Sequence, residues 1–457
     1  MCGQRSDSME DTIVAISTAL GKGAIAIIRL SGKDSINIVN SVFSGADLTK
    51  VASHTINYGF IEDNGKKIDE VLVSVMKAPK TFTTEDVVEI NSHGGIIATQ
   101  KILELMLKKG ARQAEAGEFT KRAFLNGRID LTEAESVMDI IDSKSNEAME
   151  LAMKNLTGST KNLIENFRND LLEILSNIEV NIDYPEYEDI EVMTIEDIKQ
   201  AVKNMEDKLS KILKESKNTK FIKEGINTVI VGRPNAGKSS ILNKLLEEEK
   251  AIVTDIAGTT RDIVEGSIYL DGILLNIIDT AGIRKTKEKI EKIGVEKSLS
   301  LIDKADLVIV VIDGSNKLTK EDLEILEKTK DIPRIVVVNK DDLKLKTNIK
   351  ELPNNTITMN TKDDSIEKLK LKIKELFNYE KLNTKDATYF TNARQIALVE
   401  QAIEKLNDIK NGLKQELPID IIEIDIKEVF DILGEVIGIT YDDEIIDNLF
   451  ENFCVGK

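Results

Sequence analysis

The segment GRPNAGKS, residues 232–239, has the residue types and spacing of a phosphate-binding loop. It follows an apolar stretch and leads into a helical pattern, which is the context that such a loop requires. Backbone amides of the loop and of the helix N-terminus can donate to phosphate oxygens, and Lys238 can reach the outer phosphates. Ser239 is the expected magnesium ligand. The predicted nucleotide contacts in this segment are Asn235, Ala236, Gly237, Lys238, Ser239 and Ser240.

Two further motifs follow in the order found in GTPases. In DTAG, Asp279 can bind magnesium through water, and the Gly282 amide can approach the γ-phosphate. In NKDD, the Asp342 carboxylate can accept hydrogen bonds from N1–H and the amino group of guanine, whereas adenine presents the opposite pattern. The motifs therefore predict a GTPase, with contacts from Asp279, Thr280, Ala281, Gly282, Asn339, Lys340 and Asp342. A weaker base-contacting motif, Asn360, Thr361 and Lys362, stands where GTPases usually have Ser-Ala-Lys.

The group that positions the attacking water is not the usual one. Ile283 follows Gly282, where Ras-type GTPases have a glutamine, and an isoleucine cannot orient water. Either GTP hydrolysis is negligible or another group orients the attacking water. Glu288 and Glu291 lie downstream in a charged segment, and either could orient water or simply belong to the exposed start of a helix.

The segment AIVTDIAGTTRD, residues 251–262, lies where GTPases keep their first switch. Thr260 is a natural second magnesium ligand. Oxygens of this segment could also bind a monovalent cation together with the side-chain amide oxygen of Asn235. Such a cation would supply the positive charge that an arginine finger otherwise gives.

Hydrophobic periodicity predicts a multidomain α/β protein. Short β-branched stretches broken by glycine predict a mixed α/β domain first, and a helical pattern follows, beginning at a predicted capping box of Thr132 and Glu135. From residue 227, apolar strands alternate with helices, which predicts a mainly parallel sheet inserted between two parts of a helical domain. The predicted divisions are 1–8 as an extension or expression remnant, 9–126 as the N-terminal domain, 127–222 and 381–457 as the helical domain, and 223–380 as the nucleotide domain.

Composition narrows the class of protein. The 457 residues are 41% hydrophobic and 31% charged, which is typical of a soluble globular protein of several domains. Two cysteines, Cys2 and Cys454, cannot form a framework of several disulfides, which fits a cytoplasmic protein. The formal charge of −18 means that any RNA contact must use a local basic patch or a partner.

With these motifs, the sequence resembles the MnmE (TrmE) family of tRNA modification GTPases. The likeness runs from DTIVAIST and GAIAIIRLSG to the terminal FCVGK, and its most specific parts are GEFTKRAFLNGR and the final Cys-x-Gly-Lys. It implies an N-terminal domain that binds a tetrahydrofolate derivative and forms a homodimer, a helical domain and an inserted G domain. It also implies work with FAD-containing MnmG on tRNA, adding an aminomethyl-type group to the wobble uridine.

The resemblance also assigns roles to individual residues. It implies that Glu291 orients water, that Cys454 lies near the folate, and that Ser239 and Thr260 bind magnesium. Arg128 stands where some relatives have lysine, a change of cation geometry. The implied folate contacts are Arg29, Glu85, Arg128 and Lys457. The implied potassium ligands are Asn235, Thr254, the backbone oxygen of Ile256, and Thr259. Thr254 and Thr259 are also implied to contact the nucleotide.

Two other functions share the nucleotide motifs. A ribosome-assembly GTPase would perform no modification chemistry, but such proteins usually carry an RNA-binding module after the G domain, and an acidic helical segment follows here. A regulatory switch would use its N-terminal region only to bind protein. Cys454 could be a packed cysteine with no chemical role, and His93 a hydrogen-bonded structural residue. Folate binding by the N-terminal region separates these functions.

Overall fold

The computed structural model describes residues 11–183, 194–247, 264–270, 272–278, 302–360, 366–377, 388–441 and 443–457. These residues form two compact units. One comprises the described parts of 1–138, 164–168 and 430–457, and the other those of 139–163 and 169–429.

The first unit contains a mixed sheet in the order β3-β4-β5-β6-β2-β1-β7. Neighbouring strands are antiparallel except β1 and β7, which are parallel. The strands are β1 (Ile13–Ile16), β2 (Ile25–Ser31), β3 (Phe43–Ser44), β4 (Thr55–Asp63), β5 (Lys66–Met76), β6 (Val87–His93) and β7 (Arg112–Gln113). Helices α1 (Ser35–Asn40), α2 (Ile96–Lys108) and α3 (Glu118–Leu125) accompany them. One buried cluster packs Ile28 and Leu30 of β2 against Ile102 and Met106 of α2, so the sheet and this helix share a core.

Helix α4 (Leu131–Asp142) begins near the predicted position, but the predicted capping box is wrong by two residues. Asp130 Oδ1 accepts from the backbone amides of Thr132 at 2.7 Å and Glu133 at 2.9 Å. Glu133 Oε2 accepts in return from the Asp130 amide at 2.8 Å. Thr132 already lies inside the first helical turn, so its hydroxyl donates to Asp130 rather than capping.

The second unit contains a sheet in the order β13-β12-β11-β8-β10-β9, parallel except between β9 and β10. Its strands are β8 (Ile226–Val231), β9 (Val264–Leu270), β10 (Ile273–Ile278), β11 (Leu307–Asp313), β12 (Arg334–Asn339) and β13 (Thr356–Met359). Every residue of β11 is buried. Consecutive residues of β8 enter different cores, Val229 in one cluster and Ile230 in another, because successive side chains of a strand point to opposite faces. The predicted mainly parallel sheet is confirmed.

The remaining described helices include long ones, as the periodicity predicts. They are α5 (Asn146–Leu156), α6 (Ser159–Asp183), α7 (Ile195–Lys223), α8 (Lys238–Glu247), α9 (Lys320–Lys328), α10 (Ile366–Leu376), α11 (Ala393–Lys414), α12 (Ile419–Ile437) and α13 (Asp443–Glu451), with 3-10 turns at Ile302–Lys304 and Ile349–Glu351. In the described part of the chain, no helix is both long and apolar enough to span a bilayer.

Candidate functional site

The phosphate-loop segment connects the end of β8 to the start of α8, where the sequence places it. Three of its residues have left-handed backbone angles: Gly232 (φ 155°), Asn235 (φ 61°) and Gly237 (φ 104°). A β-carbon on Gly232 would overlap the Val311 carbonyl oxygen of β11. The loop is therefore shaped by glycine and held tightly against the sheet.

Lys238 folds back over the loop. Its ammonium donates to the carbonyl oxygens of Gly232 at 2.9 Å and Arg233 at 3.0 Å. This position lies over the loop that would hold phosphate. Ser239 and Ser240 follow in the first turn of α8 and are exposed, so their hydroxyls are accessible to a ligand.

The predicted guanine motif is joined to the phosphate loop by side-chain hydrogen bonds. Asn339 is 2% exposed, and its Nδ2 donates to the Ala236 carbonyl at 2.9 Å. Its Oδ1 is buried without a hydrogen-bond partner among the described residues. Lys340 adopts φ 65° and donates to the Asn235 carbonyl at 3.1 Å. These contacts bring the two motifs, over a hundred residues apart in sequence, to one place.

A residue outside the motifs holds Lys340. Its ammonium also donates to Asp313 Oδ2, at the end of β11, at 2.8 Å. The other oxygen, Oδ1, accepts from the Ser315 hydroxyl at 2.6 Å. Burial raises the pKa of the Asp313 carboxyl, but the hydrogen bonds from Lys340 and Ser315 outweigh burial and lower this pKa to about 2. Asp313 belongs to none of the sequence motifs; its position at the end of an apolar strand was the available signal.

The weaker base-contacting motif lies beside the guanine motif. Asn360 Nδ2 donates to Asp341 Oδ1 at 2.9 Å, and the Asp341 amide donates to the Met359 carbonyl at 3.4 Å. Asp342, the predicted base acceptor, is exposed. The other predicted nucleotide, metal and water-positioning residues lie outside the described residues: Thr254, Ile256, Thr259, Thr260, Asp279, Thr280, Ala281, Gly282, Ile283, Glu288, Glu291, Thr361 and Lys362.

In the first unit, the chain's last residues dock at the end of β1, against β2 and the segment before α3. Val455 bridges to Ala116, and the Gly456 carbonyl accepts from the Ser17 hydroxyl at 3.0 Å and from Arg29 Nη1 at 3.2 Å. Gly456 adopts φ 94°, and a β-carbon there would lie 2.6 Å from the Ile16 carbonyl oxygen. The structure thus brings Arg29 and the tail carrying Lys457 together.

Arg29 also pairs with Glu89 on the neighbouring strand, its Nε lying 2.8 Å from Oε1. Ser31 lies two residues after Arg29 on β2, and its hydroxyl donates to Glu85 Oε2 at 2.6 Å. Residues two apart on a strand share a face. Arg29 and the contact to Glu85 therefore lie on the same face of β2.

Glu85 is held by an arginine that the sequence analysis missed. Arg122 is 2% exposed, and its Nη1 lies 3.1 Å from Glu85 Oε1. Its Nη2 lies 2.6 Å from Asp11 Oδ1 and 3.0 Å from Glu118 Oε1. Burial acts to lower the pKa of Arg122, but the neighbouring carboxylates, Glu85 foremost, raise it above its usual value. Arg122 lies within the family-specific GEFTKRAFLNGR stretch, which was the signal for its importance.

Arg128 lines an open cavity of about 520 Å³. Its guanidinium lies 4.9 Å from the centre of the Phe82 ring and donates to the Phe82 carbonyl at 3.1 Å. Lys80 also lines this cavity, so its walls carry the positive charges of Lys80 and Arg128.

Cys454 is exposed, and its thiol forms no disulfide within the described part of the chain. Its carbonyl accepts from the Gly117 amide at 3.3 Å. His93 is hydrogen-bonded, as predicted: its Nδ1 lies 2.8 Å from Asp69 Oδ1.

Comparison with known proteins gives consistent matches along the chain. The family description "MnmE helical domain" matches residues 131–454, and "GTP-binding protein TrmE N-terminus" matches residues 12–128. A tRNA modification GTPase MnmE of Lactococcus lactis subsp. cremoris (strain SK11) is 52% identical over 98% of both chains. The protein of that name from Streptococcus thermophilus (strain CNRZ 1066) is 51% identical over 98% of both chains.

Solved structures match part of the chain. The G domain of the Thermotoga maritima FeoB iron transporter is 27% identical and covers 33% of this chain and 98% of its own, with a TM-score of 0.25. A point variant of Aquifex aeolicus Era bound to GDP and AlF4⁻ is 25% identical and covers 39% of this chain and 66% of its own, also with a TM-score of 0.25. Scores this low support no conclusion.

Proposed function

Because the chain belongs to the family of tRNA modification GTPases MnmE, we propose that it hydrolyses GTP to drive modification of the tRNA wobble uridine. The modification is a carboxymethylaminomethyl or aminomethyl group at C5, installed together with FAD-containing MnmG. A tetrahydrofolate derivative donates the carbon. The observation that carries the nucleotide part is the hydrogen bond from Asn339 to the Ala236 carbonyl, which joins the guanine motif to the phosphate loop.

The residues present fit a guanine nucleotide. The buried, unpartnered Oδ1 of Asn339 supplies an unused polar atom beside the loop, among the described residues. Lys238 donates to two carbonyl oxygens of the glycine-shaped loop that would hold phosphate. Bound GTP with magnesium supplies a γ-phosphoryl group that can pass to water. The chain binds the phosphates through Lys238, holds magnesium through Ser239 and Thr260, and recognises the base through Asp342.

Potassium is proposed to stimulate hydrolysis. Asn235 is exposed, and its left-handed backbone is held by Lys340, which donates to the Asn235 carbonyl. Thr254, the Ile256 backbone oxygen and Thr259 complete the proposed ligand set, and Glu291 orients water. A fixed cage of oxygens distinguishes potassium from the smaller sodium ion.

The folate site is proposed at Arg29, Glu85, Arg128 and Lys457. Arginine and lysine suit the carboxylates of a folate, and the carboxylate of Glu85 suits hydrogen-bond donors of its ring. The docked tail places Gly456 against Arg29. Residues 9–126 are proposed to form the homodimer, and the protein is proposed to act on tRNA in the cytoplasm.

The proposal is tested in a strain that lacks this protein. Mass spectrometry of its tRNA should show an unmodified wobble uridine, which the wild-type chain restores and Lys238→Ala does not. The exposed Lys368→Ala is the matched control and should restore modification. Full wobble modification in the deletion strain would refute the function.

Purified protein tests the potassium step separately. GTP turnover is compared in potassium and sodium buffers of equal ionic strength. Faster turnover in potassium is expected, and equal rates would exclude a potassium site without touching the modification function.

A further inference from the structure

A buried ion pair lies behind the phosphate loop. Arg233, the second residue of the loop motif, places its Nε 3.5 Å from Asp322 Oδ1. The Asp322 side chain is 1% exposed and that of Arg233 is 18% exposed. Arg233 Nε and Nη2 and Asp322 Oδ1 have no hydrogen-bond partner among the described residues, so the buried Oδ1 has the Arg233 guanidinium as its charge partner.

Asp322 is fixed by its place in a helix. It is the third residue of α9 and forms a capping box with Thr319. Its Oδ2 accepts from the Thr319 amide at 3.0 Å and hydroxyl at 2.8 Å. The capping box commits one carboxylate oxygen to the helix and leaves Oδ1 directed to Arg233.

Arg233 connects this anchor to Lys238, the proposed phosphate-binding lysine. Its carbonyl oxygen accepts from Lys238 Nζ at 3.0 Å and from the Ala236 amide at 3.3 Å. Pro234 follows, and a residue before proline has a restricted backbone. With the backbone restricted and the side chain anchored, the direction of the Arg233 carbonyl, and hence the position of the Lys238 ammonium, is set.

We propose that Asp322 and Arg233 are positioning residues for nucleotide phosphate binding: α9 holds Arg233, and Arg233 holds Lys238. The inference rests on the proposed GTP site. It adds two residues that touch neither base nor phosphate. Loss of either charge releases the loop and weakens binding of both GTP and GDP.

The test compares three variants of the full chain with the wild type: Asp322→Asn, Arg233→Met and the double variant Arg233→Met/Asp322→Asn. Asparagine keeps an oxygen that can cap α9 but removes the charge that Arg233 needs. Titration with fluorescent GDP and GTP should show roughly tenfold weaker binding for each single variant. Guanine-over-adenine preference should not change, because the base contacts are intact.

Asp197→Asn is the matched control. Asp197 forms the same capping box with Thr194 at the start of α7, and Thr194 donates both hydrogen bonds that the Asp197 side chain accepts from the described residues. The control should change helix stability by as much as Asp322→Asn does, while it keeps wild-type nucleotide affinity. A role of Asp322 in helix stability alone would produce the same result in both aspartate variants.

The double variant tests the coupling. Since the two residues act as a unit, the double variant should bind nucleotide no more weakly than whichever single variant has the lower affinity. Additive losses, or Asp322→Asn affinity within about twofold of wild type, would overturn the proposal.

If Asp322→Asn does not fold, Arg233→Met/Asp322→Leu replaces the buried pair by apolar side chains, and wild-type affinity in that variant would also overturn it. A wild-type chain that bound no guanine nucleotide would instead refute the proposed function.

Discussion

Gly237 of the phosphate loop and Asn339 of the guanine motif approach so closely that a β-carbon on the glycine would overlap the asparagine Nδ2. The same Nδ2 donates to the neighbouring Ala236 carbonyl at 2.9 Å. Base recognition and phosphate binding therefore share one packed contact. A substitution of either Gly237 or Asn339 should affect both.

Gly237→Ala should weaken GTP binding by about tenfold or more, because the alanine must adopt φ 104° and displace Asn339. Nucleotide titration measures this loss. Gly266→Ala in β9 is the control, since a β-carbon there meets open space. Wild-type affinity in Gly237→Ala would show that the contact has no part in binding.

Asp342→Asn should lower GTP affinity by about tenfold and shift preference toward xanthine nucleotides, because the amide donates where the carboxylate accepted. Competition between GTP and XTP measures the shift. The adjacent Asp341→Asn keeps an acceptor for Asn360 and should retain guanine preference. Unchanged GTP affinity in Asp342→Asn would rule out Asp342 as the base acceptor.

Asp313 should make the free energy of unfolding depend on pH in the acidic range. Its folded pKa of about 2 is below the ordinary value of 3.8, so its contribution is fully present above pH 3.8 and is lost as pH falls toward 2. Asp313→Asn should therefore lower the free energy of unfolding at pH 7, and the difference from wild type should shrink between pH 4 and 2. Urea unfolding across this range measures it, with exposed Asp207→Asn as the control. A difference that is constant with pH would contradict the assignment.

Deleting residues 454–457 should abolish wobble modification and weaken folate binding while leaving GTP hydrolysis by the G domain largely unchanged. Gly456→Ala should reproduce part of this loss, because φ 94° and the contact with Ile16 exclude a side chain. Val455→Ala is the control, since Val455 is 52% exposed. A truncated chain that restored modification in the deletion strain would make the tail a bystander and remove any catalytic role for Cys454.

Glu291→Ala should lower the rate of GTP hydrolysis and leave GTP affinity nearly intact, the behaviour of a group that acts mainly in the transition state. Single-turnover rates and nucleotide titration separate the two quantities. Glu288→Ala is the comparison, and a rate loss confined to that variant would identify Glu288 as the group that orients water.

The local sequence was sufficient to predict a functional site where that site is built from consecutive residues. A phosphate loop works through backbone amides and one lysine within eight residues, so GRPNAGKS reveals it directly, and the apolar runs before each motif predict the buried parallel strands. The capping box of α4 shows the limit of this reasoning. Asp130 and Thr132 both suit a cap, and only the position of Leu131 in the first turn decides between them.

Tertiary structure alone decided which distant residues support these motifs. Asp313 holds Lys340 because β11 and β12 are neighbours in the sheet, and Arg122 holds Glu85 across a buried contact between residues far apart in sequence. The Gly456 carbonyl accepts from Arg29 across 427 positions. Hydrogen bonds act only over about 3 Å, whereas sequence patterns report only neighbours along the chain, so these partners were fixed by strand order and chain path.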